Sequence, residues 1–141
     1  MKMPGTIAEE MFAPCGLNCL LCYKHLATKN ACPGCRQEGA GKPAHCLHCS
    51  RKDCAQARGL THCFQCDQFP CKLIKNLERT YIKRYGVSLI ENGRAARADG
   101  LAQFMQHEKG RWSCTSCHGI VCMHDRECSD CRQPLERSGR E

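Results

Sequence analysis

The chain has 141 residues, room for one domain or two small ones, and sixteen of them are cysteine. Hydrophobic residues make up 42% of it, but cysteine alone is about 11%, which leaves about 31% apolar and too little for one generous core without staples. The formal charge of +7 does not by itself select a polyanionic partner: an ion held by four thiolates carries about −2, so four such sites bring the loaded chain near −1.

The staples are disulfides or metals. A secreted disulfide scaffold needs a signal peptide, and Met1 to Pro14 lacks an apolar h-region. No stretch approaches the roughly 18 apolar residues of a membrane helix. Twelve cysteines fall in six C-x-x-C pairs: Cys19/Cys22, Cys32/Cys35, Cys46/Cys49, Cys63/Cys66, Cys114/Cys117 and Cys128/Cys131. Such a turn presents two thiolates to one metal and suits few structural disulfides. The expectation is a soluble, reduced, cytoplasmic metal protein with no membrane association.

In chain order, Thr6 to Glu9 fits a capping box for one short helical turn. The first 71 residues then hold eleven cysteines. Eleven thiolates and one histidine can serve three tetrahedral ions. One partition puts Cys19, Cys22, Cys32 and Cys35 on one ion and Cys54, Cys63, Cys66 and Cys71 on a second. Cys15, Cys46 and Cys49 join a third with His45, His48 or His62. Gly39 to Pro43 reads as a loop. Cys71 falls where a helix begins, and a helix start donating to a knuckle-bound metal is the treble-clef arrangement.

Residues 72–113 contain no cysteine. Leu73, Ile74, Leu77, Tyr81, Ile82 and Tyr85 follow the spacing of one helix face, and Gly86 is a stop. Ser88 can cap a helix through Ala98, and Asp99 another carrying Leu101, Phe104 and Met105. Residues 72–97 carry seven basic and two acidic side chains. Lys72, Lys75, Arg79, Lys83 and Arg84 lie on the first helix, with Arg94 and Arg97 after it, a face for a protein or nucleic-acid partner.

Cys114/Cys117 and Cys128/Cys131 are separated by ten residues that can form a hairpin, the signature of a zinc ribbon. Trp112 is placed to cover the site. Four thiolates fill the shell, so His118 and His124 are expected at the surface or around the ligands, and no coordination position stays open for catalysis. The tail from Gln133 is polar.

The fold class expected is a small metal-dominated α+β protein in three parts. A knuckle and treble-clef-like module spans 1–71, a helical segment 72–113, and a ribbon with its tail 114–141. Three to four zinc ions are expected, and the function is a zinc scaffold for interaction. Iron–sulfur redox chemistry in the first module is the alternative. Cys15, Cys19 and Cys22 have the C-x3-C-x2-C spacing of radical S-adenosylmethionine enzymes, but the chain is too short for the βα barrel that chemistry needs. A third reading is an enzyme that uses zinc or an odd thiol, for which Cys15 and Cys122 stand outside the C-x-x-C pairs.

The run Cys15-Gly16-Leu17-Asn18-Cys19-Leu20-Leu21-Cys22 resembles the CGLxCxxC opening of an uncharacterised prokaryotic cysteine-rich family, a domain of unknown function. Cys32-Pro33-Gly34-Cys35-Arg36, the pair Cys49 and Cys54, and Cys63, Cys66, Phe69, Pro70 and Cys71 follow the same pattern. The ending with Trp112 and His124 is also similar. Cys46 is additional to it. The resemblance implies zinc binding in prokaryotic cytoplasm and no particular activity.

Overall fold

A computed structural model describes residues 1–36 and 49–135. Cys46, His45, His48 and the loop at 39–43 therefore lie outside the described residues. The elements are α1 (Ser50–Ala57), α2 (Lys72–Tyr85), α3 (Leu89–Asp99), α4 (Leu101–Trp112) and the strands β1 (Val121–Cys122) and β2 (Glu127–Cys128). Single 3-10 turns occur at Glu9–Met11, Cys19–Leu21 and Cys63–Gln65. This is a small, helix-dominated mixed fold with one two-stranded sheet.

The central helices form where the periodicity puts them. α2 ends at Gly86, whose φ of 67° is the left-handed cap conformation. It turns Ile74, Leu77, Tyr81 and Tyr85 to the core, but Ile82 is 49% exposed and does not belong to that face. The Ser88 hydroxyl accepts from Glu91 N to cap α3. Glu78 of α2 adds a second cap, accepting from Leu89 N at 2.7 Å and from the Ser88 hydroxyl at 2.6 Å.

Three local expectations are corrected. The N-terminal turn begins after Ala8 and has no side-chain cap, so Thr6 forms no capping box. Asp99 is the last residue of α3, and Gly100 is the residue before α4. Gly100, at a φ of 90°, is itself the N-cap of α4 and has no side chain to cap it. α1 is a helix within the first 71 residues beyond the one short turn expected there.

Phe12, Leu21, Ile74, Leu89, Met105, Ile120 and Met123 are almost fully buried in one cluster. That cluster draws on all three stretches of sequence, and buried cysteines such as Cys15 and Cys63 belong to it. Gly16 joins the opening segment to α3. A Cβ there would meet the Leu89 carbonyl oxygen at 2.7 Å, at a φ of 102° that disfavours any side chain. The Gly16 carbonyl in turn accepts from the Asn92 amide at 3.0 Å.

Candidate metal centre

α4 delivers Trp112, 2% exposed, directly to the first C-terminal knuckle. In that knuckle Cys114 N donates to Gly119 O and His118 N to Cys114 O, with His118 at a φ of 61°. β1 and β2 pair antiparallel with Val121 opposite Cys128 and Cys122 opposite Glu127, which brings the second knuckle back over the first. The hairpin expected between the knuckles is therefore present.

The result is a closed set of sulfurs. Cys114 and Cys131 are 3.7 Å apart at Sγ, and Cys117 and Cys128 are 3.5 Å apart. All four lie within 4.8 Å of one another. A tetrahedral ion with metal–sulfur bonds of about 2.3 Å separates its sulfurs by about 3.8 Å. The four residues thus fit one such ion. Among the described residues no other group of three or more Cys, His, Asp or Glu ligand atoms converges as closely.

The surroundings favour thiolates at Cys114 and Cys117 but not at Cys131, where the Gln133 N–H is outweighed by desolvation and by Cys117, Cys114 and Cys128, which push the thiol up to about 11. Backbone N–H groups of Cys117 and Ser116 pull the Cys114 thiol down to about 7, and that of Gly119 lowers Cys117. Asp130 N lies 3.4 Å from Cys128 Sγ. Lys2 Nζ sits 2.8 Å from Cys117 O and 3.2 Å from the Asp130 carboxylate, a positive charge beside the cluster. Gly119 is packed so tightly that a Cβ would fall 2.6 Å from Cys128 Sγ.

Neither nominal histidine ligand reaches this site. His118 is exposed. His124 turns away among Tyr23, Tyr81 and Tyr85, with ring centroids 5.0, 5.9 and 4.7 Å distant. Cys122 is 2% exposed, and burial pushes its thiol up to about 11. Burial, then Cys35 nearby, also raises Cys15 far above the ordinary thiol range. Those are poor settings for a nucleophile.

The N-terminal cysteines occupy element ends. Cys19 opens a 3-10 turn capped by the Asn18 side chain, and Cys22 closes it. Cys49 and Cys71 are the N-caps of α1 and α2, and Cys54 is on α1. Cys63 and Cys66 flank the third 3-10 turn, where Gln68 N donates to Cys66 Sγ at 3.4 Å. Burial first, then Cys71, Cys54, Cys49 and Cys66 around it, push the Cys63 thiol up to about 12. His62, offered as a ligand, serves the core instead. Its Nε2 bonds the Phe12 carbonyl at 3.0 Å, its side chain accepts from the Gln65 backbone, and its ring stacks on Phe64.

Lys72, Lys75, Arg79, Lys83 and Arg84 are exposed, and among the described residues none of them forms an ion pair. Arg94 and Arg97 do not extend that face. Arg94 pairs with Glu91 at 3.0 Å, and Arg97 donates to the Phe64 and Cys66 carbonyls behind the third turn.

These features define a small cysteine-rich protein with a preformed cluster of four cysteines that could hold a metal. Residues 11–76 match the family described as a protein of unknown function (DUF3795). The likeness to an uncharacterised cysteine-rich family is thereby borne out over that stretch, and the C-terminal knuckles lie beyond it. No curated protein and no solved structure matches the chain. Among the described residues no helix is long and apolar enough to cross a membrane.

Proposed function

We propose that the chain is a zinc-scaffolded interaction module. One zinc ion, held by Cys114, Cys117, Cys128 and Cys131, fixes the C-terminal hairpin. The observation that carries this is the convergence of four sulfurs at spacings of 3.5 and 3.7 Å. Four thiolates leave no open position, so the ion is structural. Further zinc in the N-terminal segment takes a knuckle and treble-clef form. This is supported by the Cys63/Cys66 turn standing before Cys71 at the start of α2.

The scaffold displays the outer face of α2. Lys72, Lys75, Arg79 and Lys83 fall in one stripe about 16 Å long at 1.5 Å per residue. An unpaired stripe of this kind suits a nucleic-acid backbone, whose binding releases counterions. Fluorescence anisotropy with single- and double-stranded oligonucleotides over a salt series tests it. Affinity is expected to fall steeply with salt and to be lost in the Lys75→Glu, Arg79→Glu variant. A flat salt response, or no binding, moves the partner to the protein class. Elemental analysis tests the zinc: Cys131→Ser is expected to carry one equivalent less than wild type, and equal content overturns the assignment.

A further inference from the structure

The Cys19/Cys22 and Cys32/Cys35 pairs come together beside the C-terminal hairpin, in a pocket that none of the four ribbon cysteines lines. Cys32 N donates to Lys24 O at 2.9 Å, which folds the second pair back over the first. Cys35 N then donates to Cys19 Sγ at 3.3 Å, the kind of N–H···S contact that stabilises a thiolate. The four cysteines line one pocket of about 60 Å³, together with Tyr81 of α2 and His124 of the hairpin. The lining is mostly apolar but includes Lys24, whose ammonium can offset part of the charge of about −2 that an ion held by four thiolates carries.

We infer that this pocket is a second thiolate metal centre, held by Cys19, Cys22, Cys32 and Cys35 and roofed by His124 and Tyr81. It rests on reading the chain as metal-scaffolded and adds a site distinct from the ribbon. These four cysteines line a pocket, and their sulfurs do not converge within 4.8 Å of one another as the ribbon sulfurs do. Two soft occupants share this chemistry: a single zinc ion that draws the ring inward, and an iron–sulfur cluster that fills it. His124 is not a ligand in either case. Its Nδ1 faces Tyr23 N at 3.4 Å and its Nε2 the Tyr81 hydroxyl at 3.5 Å, so both ring nitrogens are engaged in the roof.

The test is zinc, iron and acid-labile sulfide per chain, with the visible spectrum, on anaerobically purified wild type, Cys32→Ser and Cys131→Ser. Cys32→Ser is expected to lose one zinc equivalent if the occupant is zinc, or all iron, sulfide and visible absorption if it is a cluster. Either loss supports the site. Wild-type metal content in Cys32→Ser overturns it and leaves the ribbon reading intact, because that reading is tested by Cys131→Ser alone. Alkylation of wild-type holo-protein decides the matter should Cys32→Ser fail to fold. Half-buried Cys22 and Cys35 are expected to resist iodoacetamide, and rapid labelling of both sinks the proposal. His124→Ala should keep the metal but release it to a chelator several-fold faster, and an unchanged release rate removes the roof from the account.

Discussion

At the residue scale, single atoms decide how closely the sulfurs can gather. Gly119 has no room for a methyl group, with Cys128 Sγ at 2.6 Å and Cys117 Sγ at 3.2 Å from where it would stand. Gly119→Ala must displace two ligands. Perturbing groups around a metal site typically costs about 10–100-fold in affinity, so the variant is expected to yield zinc to a competing chelator that much more readily. Glu108 gives a pH-dependent prediction. It is 3% exposed, and burial raises its carboxyl above the ordinary 4.5, with Arg111, Asn18 and Trp112 opposing. A raised folded value means that stability is complete at acidic pH and is lost as pH rises through that value. Glu108→Gln abolishes the loss. Thermal melts from acidic to neutral pH should show the variant gaining on wild type as pH rises, and a constant gap would contradict this.

At the element scale, the fold rests on caps and on short turns that aim cysteines. Glu78 holds the start of α3 from the preceding helix through Leu89 N and the Ser88 hydroxyl. Glu78→Ala is expected to cost about 1–2 kcal/mol, readable as a lower urea midpoint with metal content unchanged. α2 was legible because an apolar stripe and a glycine stop act within the segment itself. α1 was not, since Ala55 is its only buried residue and leaves no periodicity to read. Asp99 misled for a related reason. A cap depends on how the chain enters the helix, and the turn at Gly100 decides that. The Glu78 cap was invisible because it comes from ten residues away in another element.

At the scale of the whole molecule, the cysteine hairpin is built into the core. Met123 N donates to Leu21 O at 3.0 Å, Arg126 donates to Tyr85 O at the end of α2, and Ile120 is fully buried. The convergence of the four C-terminal cysteines was readable because they lie in one short hairpin, where spacing alone brings them together. The N-terminal grouping was not fixed in the same way. Its cysteines sit at the ends of separate elements, and Cys63 has Cys49 and Cys54 of the α1 region and Cys71 of α2 for neighbours. Which sulfurs meet there depends on tertiary packing, which spacing does not encode.

On the reading proposed here metal holds this fold together, since ion binding and folding are coupled where a lean core leaves the ligands to close the structure. The most direct test is a chelator titration of the full chain, following bound zinc and far-ultraviolet circular dichroism in the same samples. Secondary structure is expected to be lost in step with zinc and to return when zinc is restored. A zinc-free chain that keeps its native helical signal would contradict it.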